Sequence, residues 1–163
     1  MATFERRIEI AAPPERVWGI LADIGTIADW NPGVLASHWS GEQREGVGAA
    51  RHCDLGKGNY LDEETVAWEP GRALTLRIVG TNLPFKSADI RFRMAADGQG
   101  SVVTVSPIYE LKYGLLGRVL DRLFVRKTYS RGMEALLAGL KRHAESSAAE
   151  ASPAETSRAG KTG

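Results

Sequence analysis

Residues 115–145 read LLGRVLDRLFVRKTYSRGMEALLAGLKRHAE, and this stretch decides the predicted fold. Its apolar residues recur at helical spacing in one broad stripe, and no proline interrupts them. At about 1.5 Å per residue such a helix would be about 45 Å long, enough to cross a whole sheet. The sequence therefore predicts a long amphipathic helix that needs a large apolar partner. The stripe consists of Leu116, Val119, Leu120, Leu123, Phe124, Met133, Leu136, Leu137 and Leu140.

The partner surface is expected in the preceding part of the chain, where short β-rich runs alternate with turn signals. Runs joined by such short connections indicate an antiparallel meander. Pro13-Pro14 ends the first run and begins a short helix to about Gly25, followed by a second helical turn from Thr26 to Trp30. The predicted strands are residues 3–11, 34–43, 48–55, 59–68, 72–80, 86–95 and 101–111.

This order of elements predicts an α+β fold, in which one apolar face of a seven-stranded antiparallel sheet packs against the long helix. Residues 1–145 are expected to form a single domain. The remaining stretch, residues 146–163, contains no aromatic and no β-branched aliphatic residue. It cannot bury enough apolar surface to offset the entropy of ordering, so we expect a disordered tail.

Composition limits the classes of function. The 163 residues carry a net charge of only +1, without the basic excess of a nucleic-acid-binding protein. Cys53 is the single cysteine, which excludes an internal disulfide and suits a reducing compartment. The N-terminus lacks the apolar run of a secretion signal, and no apolar run reaches the roughly 20 residues of a membrane span. We expect a cytoplasmic monomer or homodimer without an integral membrane span.

Several local runs resemble one known family. They are IAAPPERVW at residues 10–18, WNP at 30–32, ETVAWEPGRAL at 64–74 and the closing stretch from 131 to 141. Over roughly residues 3–144 the chain resembles the START-like SRPBCC superfamily, and more narrowly its polyketide cyclase/dehydrase branch. The resemblance implies a helix-grip fold, a curved antiparallel sheet around a long C-terminal helix with two short helices after the first strand. It also implies a cavity for lipids, aromatic polyketides, sterols, quinones or plant hormones.

Strand alternation places polar side chains on the inward face of two neighbouring strands. Within residues 59–68, Tyr60 and Glu64 share a face with Trp68, which is expected in the core. Arg51 is expected inward on the preceding strand. There Arg51 would bind a ligand carbonyl or carboxylate, while Glu64 would orient Arg51 or accept a proton. The open alternatives are a purely structural ion pair and a one-residue register slip that leaves both groups in solvent.

Further candidates for the cavity wall are aromatic or adaptable apolar side chains. The Tyr109 hydroxyl could bind a ligand, or the ring could simply seal the sheet against the helix. Met133 lies on the long helix, where a flexible thioether often lines a pocket. The complete set of expected wall residues is Trp18, Trp30, Trp68, Tyr109, Tyr129 and Met133.

The sequence contains no pattern for a cofactor, a metal ion or a covalent nucleophile. Its glycine-rich segments join strands and open no helix, so none forms a phosphate cradle. The histidines and Cys53 have no metal-ligand spacing. We therefore expect no cofactor and no metal, and no catalytic residue can be assigned.

Two functions fit these features. The first is binding of a lipophilic or aromatic small molecule, of lipid, polyketide or quinone type, in a cavity between sheet and helix. The alternative is a polyketide cyclase, aromatase or dehydratase that uses acid–base residues of the cavity without a cofactor. A third interpretation is a protein that binds another protein through a sheet edge or the helix.

Overall fold

A computed structural model describes residues 1–151, with side chains described for residues 1–146. Eight strands, a 3₁₀ helix and a C-terminal helical stretch follow the predicted order closely. The strands are β1 Ala2–Thr3, β2 Arg6–Ile10, β3 Ala36–Ser40, β4 Ala50–Gly56, β5 Asn59–Glu69, β6 Ala73–Thr81, β7 Phe85–Asp97 and β8 Gly100–Leu111. The helical elements are α1 Pro14–Ala22, a 3₁₀ helix Ile24–Asp29, α2 Gly114–Leu120, a π-helical turn Asp121–Val125 and α3 Arg126–Ala151.

The strands form one antiparallel sheet in the order β1-β8-β7-β6-β5-β4-β3, with β2 also paired to β8. The first predicted strand is thus split in two, and both parts pair with β8 at the same edge. Phe4 lies at the break and is buried in the core. The predicted α+β helix-grip architecture is confirmed, with eight strands because the first one is interrupted.

The core lies between the inner face of the sheet and the C-terminal half of α3. Leu136, Leu137, Leu140 and Ala144 of α3 are all at most 3% exposed. Gly139 permits this docking, because a Cβ atom at this position would lie 2.0 Å from the carbonyl oxygen of Trp30. The loop after the 3₁₀ helix therefore packs directly on the backbone of α3.

The N-terminal part of the helical stretch differs from the prediction, because much of its apolar stripe is not in the core. Leu116 and Val119 are 63% and 54% exposed, and Leu123 is 61% exposed. Gly117 instead faces the body of the protein, against the carbonyl oxygen of Lys112. The wider π-helical turn that follows shifts the phase of the helix, so the exposed part of the stripe up to Phe124 and its buried part in α3 lie on different sides.

The helix also extends past the predicted domain boundary at residue 145 and continues to Ala151. Its last residues are rich in alanine, which favours helix continuation. The rest of the predicted disordered tail, residues 152–163, lies outside the described residues. None of the helices within residues 1–151 is long and apolar enough to cross a membrane.

The two glycines of α3 should respond oppositely to alanine. Gly139→Ala places a methyl group against the Trp30 carbonyl and should lower the free energy of unfolding by about 2 kcal/mol or more. Gly132→Ala meets no atom within 4 Å. It should raise the free energy of unfolding by up to about 1 kcal/mol through helix propensity. Urea denaturation followed by circular dichroism measures both changes. Equal effects of the two substitutions would contradict the docking described for Gly139.

Candidate functional site

A cavity of about 530 Å³ lies between the inner face of the sheet and the N-terminal half of the long helix. Ligand pockets in proteins commonly measure about 300–1,000 Å³. Most of its wall is apolar and is contributed by strands β4 to β7, the 82–84 connection, the 3₁₀ helix with the loop after it, and the C-terminal helical stretch. The apolar lining residues are Ile27, Val34, Leu55, Leu61, Ile78, Leu83, Pro84, Phe85, Ile90, Phe92, Phe124, Val125, Met133 and Leu136.

The mouth of the cavity is marked by residues that both line it and contact solvent. Gly33, Pro84, Phe124, Thr128 and Gly132 meet both conditions, and Phe124 is 64% exposed. They lie on three separate parts of the chain: the loop after the 3₁₀ helix, the β6–β7 connection, and the π-helical turn with the start of α3. A ligand would therefore pass between two loops and the helix.

One corner of the cavity is polar and contains a buried ion pair between Arg51 of β4 and Glu63 of β5. The two side chains are 5% and 2% exposed, and Nη2 of Arg51 lies 2.7 Å from Oε2 of Glu63. Nε of Arg51 donates to the same oxygen at 2.7 Å, and Nη1 donates to the carbonyl of Ile24 at 3.0 Å. Arg51 thus ties two neighbouring strands to the first residue of the 3₁₀ helix. Both charges are thus compensated within the protein, which offsets part of the cost of removing them from water.

The predicted partner of Arg51 was wrong: Glu63, and not Glu64, faces inward. The reason is a bulge in β5, where the pairing with β6 shifts between Thr65 and Ala67. This extra residue reverses the alternation. Trp68 and Glu63 therefore both point inward, although they are an odd number of positions apart. Counting back from Trp68 with strict period two selected Glu64, which is only partly buried on the other face.

Two other ionisable groups in the cavity wall keep their protons at neutral pH. Burial raises the pKa of the Cys53 thiol to about 12, with Glu63 adding to the rise and Arg51 opposing it. Burial also raises the pKa of Tyr129 well above its usual range, and the charge of Glu63 contributes. Among the described residues, no hydrogen-bond partner lies within reach of the Tyr129 hydroxyl, although that oxygen is buried.

Of the predicted site residues, Arg51, Tyr129 and Met133 line the cavity. Tyr60 and Glu64 belong to the opposite face of β5. The Tyr60 ring stacks on His52, with 5.8 Å between ring centroids, and Nδ1 of His52 lies 2.6 Å from Oδ1 of Asp62. Tyr60 therefore takes part in an outer-face cluster and does not contact the cavity.

The other four predicted wall residues pack elsewhere in the core. Trp18 and Trp68 contact each other edge to face, with 5.2 Å between ring centroids. Trp30 lies beside Gly139 and lines a separate depression. Tyr109 is 1% exposed, and its hydroxyl donates to Oδ1 of Asp121 at 2.5 Å. Tyr109 thereby anchors the π-helical turn to the sheet. Of the two roles that the sequence offered for Tyr109, this is the one in which the ring seals the sheet against the helix.

Sequence reasoning missed Glu63, Asn31 and Thr128 as cavity residues. Leu61 offered a signal for Glu63, because it is an apolar residue on the same strand and in the same phase. Counting forward from Leu61, on the near side of the bulge, places Glu63 inward. No sequence signal indicated Thr128, because its position depends on the phase shift of the π-helical turn.

The described residues contain no group of three or more His, Cys, Asp or Glu side chains arranged to hold a metal ion. The cavity combines an extensive apolar wall, one compensated ion pair and one unpartnered phenol. Such a site can enclose an apolar molecule and orient it by hydrogen bonding.

Comparison with known proteins assigns the family. A family model described as polyketide cyclase / dehydrase and lipid transport matches residues 1–145. The chain belongs to this family. Over 74 residues it is also 27% identical to an uncharacterised protein of Mycobacterium tuberculosis, a match that covers 45% of this chain and 44% of that protein. The chain thus spans less than half of the length of that relative.

Solved structures show the same fold at low sequence identity. A protein of Thermus thermophilus is 21% identical to this chain, with a TM-score of 0.75. The match covers 90% of this chain and 99% of the Thermus chain. An aromatase/cyclase from a Streptomyces species is 20% identical, with a TM-score of 0.73, and the match covers 88% of this chain and 93% of the Streptomyces chain. A START superfamily protein of Mycobacterium smegmatis is 17% identical, with a TM-score of 0.74, and the match covers 88% of this chain and 97% of the Mycobacterium chain. These structures confirm the predicted fold, and the family model confirms the predicted polyketide cyclase/dehydrase branch.

Breaking the buried ion pair should destabilise the fold strongly. Glu63→Gln leaves the Arg51 charge uncompensated and should lower the free energy of unfolding by about 3–5 kcal/mol. Glu64→Gln is the matched control on the outer face and should change it by less than about 0.5 kcal/mol. Chemical denaturation compares the two. A larger loss for Glu64→Gln would contradict the assignment of Glu63 to the cavity.

Ionisation of Cys53 should weaken the fold in alkali. The folded-state pKa of about 12 lies above the ordinary value of 9.0, so the unfolded chain loses this proton first as the pH rises. The contribution of Cys53 to stability is therefore complete below pH 9 and declines from there to about 12. The decline approaches about 1.4 kcal/mol per pH unit. Denaturation at several pH values should show a smaller decline for Cys53→Ala than for the wild type. An identical pH dependence of the two proteins would contradict this.

Proposed function

We propose that this protein binds a neutral, lipophilic small molecule of lipid, polyketide or quinone type in the cavity. The observation that carries the proposal is the composition of the cavity wall: a mostly apolar lining with one buried ion pair, Arg51 and Glu63, and three other polar side chains, Asn31, Thr128 and Tyr129. Burying apolar ligand surface there stabilises the complex by about 25 cal/mol per Å². The cavity volume suits a ring system or a folded chain of moderate length.

The polar corner argues for a ligand without net charge. The charge of Arg51 is already compensated by Glu63 at 2.7 Å. A ligand carboxylate or ammonium would add an unpaired charge to a mainly apolar cavity, and such burial costs several kcal/mol. A carbonyl or hydroxyl oxygen carries no such cost. It could accept a hydrogen bond from the Tyr129 hydroxyl, which otherwise lacks a partner among the described residues.

The same groups favour binding over the cyclase or dehydratase alternative. Enolisation and loss of water need a group in the cavity that exchanges protons near neutral pH. The Cys53 thiol has a pKa of about 12, and that of Tyr129 is raised further from neutrality. The Glu63 carboxylate already accepts from Arg51 and lies 3.9 Å from the Cys53 sulfur. These groups are arranged to orient a molecule and not to move its protons.

Two neutral fluorescent probes test the proposal. N-phenyl-1-naphthylamine has no oxygen acceptor, whereas Prodan carries a ketone. Both should bind the wild type with enhanced fluorescence. Ile78→Trp should abolish binding of both, because the larger ring fills the cavity. Val79→Trp is the matched control, since Val79 is the next residue and is 58% exposed.

Tyr129→Phe should separate the two probes. Removing the hydroxyl should weaken the affinity for Prodan by about two- to tenfold, the equivalent of one hydrogen bond. The affinity for N-phenyl-1-naphthylamine should stay unchanged. Tyr60→Phe on the outer face should affect neither. Native mass spectrometry of the purified protein would show a co-purified neutral compound that Ile78→Trp no longer retains. Probe binding that survives Ile78→Trp would refute the cavity as the binding site.

A further inference from the structure

The helical stretch beside the cavity mouth presents an apolar surface to solvent. Six residues within ten positions are exposed: 76% for Leu115, 63% for Leu116, 54% for Val119, 39% for Leu120, 61% for Leu123 and 64% for Phe124. They recur at helical spacing and form one continuous face, here called the apolar helix face. Large exposed apolar patches of this kind usually mark an interaction site.

The apolar helix face is flanked by more cationic than anionic side chains, and Glu110, which lies near Arg118, is paired with Lys86. Between residues 112 and 127 the sequence contains five cationic side chains and one carboxylate, whereas the whole chain has a net charge of +1. The carboxylate, Asp121, is engaged by the Tyr109 hydroxyl. The five cationic residues are all exposed: Lys112, Arg118, Arg122, Arg126 and Lys127.

We propose that the apolar helix face docks on an anionic lipid bilayer and places the cavity mouth against it. Leu and Phe on one face with Arg and Lys beside them is the pattern of helices that lie in the membrane interface. The cations would remain at the level of the lipid head groups, and each adds attraction to an anionic surface. Phe124 belongs both to this face and to the cavity wall. Docking would therefore bring the hydrocarbon of the bilayer next to the mouth.

Two other occupants of this face, a second copy of the chain and residues 152–163, match its charge less well than an anionic bilayer does. In a two-fold dimer the same basic residues of both copies would meet and repel each other. Residues 152–163 carry one glutamate, one arginine and one lysine, and their largest aliphatic side chains are those of proline and threonine. That stretch offers neither the negative charge nor the apolar surface to match this face. An anionic bilayer supplies both.

Co-sedimentation with vesicles tests the proposal on the full chain without any cavity probe. Vesicles of phosphatidylcholine with phosphatidylglycerol should bind the protein, and binding should weaken as salt is added. Vesicles of phosphatidylcholine alone should bind it much more weakly. Arg118→Gln and Arg122→Gln should each weaken binding about fivefold, the equivalent of about 1 kcal/mol per basic residue. Leu115→Gln with Leu123→Gln should weaken it at least tenfold.

Matched controls use exposed residues far from this helix in sequence. Val47→Gln, where Val47 is 59% exposed, and Arg72→Gln should leave vesicle binding unchanged. A fluorescent NBD label at Val119→Cys should brighten on vesicles as it enters the bilayer, whereas a label at Val47→Cys should not. The native Cys53 is 1% exposed and should escape labelling.

Three outcomes would overturn the proposal. They are absence of binding to the anionic vesicles, equal losses for test and control variants, and a dimer in light scattering that Leu115→Gln with Leu123→Gln converts to monomer. The last outcome would make the face an interface between two copies. Because the vesicle assay contains no probe, each of these outcomes leaves the probe measurements of the cavity unaffected. Loss of probe binding would likewise leave the vesicle result standing.

Discussion

Unequal docking of the long helix is the constraint on which the rest of the structure depends. At Gly139 the helix backbone comes so close to the Trp30 carbonyl that a Cβ atom would not fit. Leu140 and Ala144 beyond this point are fully buried. Towards the other end the same helix stands away from the sheet, and its side chains line the cavity. The close approach at Gly139 therefore holds one end of the helix in the core, and the cavity lies beside the other end.

The buried ion pair complements this arrangement on the side of the sheet. Arg51 reaches Glu63 on the neighbouring strand and the Ile24 carbonyl on the 3₁₀ helix. It thus holds the 3₁₀ helix against the sheet. The cavity thereby contains a polar corner whose two charges compensate each other. The proposal of a neutral ligand rests on this network of contacts.

Much of the fold and part of the site followed from local patterns. The meander, the long helix and the inward direction of Arg51 each rested on periodicity within one segment, and tertiary packing left those periods intact. Glu64 was chosen wrongly because the bulge between Thr65 and Ala67 interrupts the period. A bulge depends on the pairing with β6, which a single strand does not reveal. The exposure of Leu116 and Leu123 was missed for a similar reason, since the π-helical turn has no signature in composition.

The sequence by itself determined the family, the order of elements and the presence of one apolar face on the sheet and one stripe on the helix. These features depend on residue type and spacing along the chain. Tertiary structure alone decided which carboxylate meets Arg51, which aromatic rings line the cavity and which half of the stripe stays in solvent. Each of these depends on a contact between segments distant in sequence. Such contacts shift alternation or helical phase by one position, and one position moves a side chain from the core to the surface.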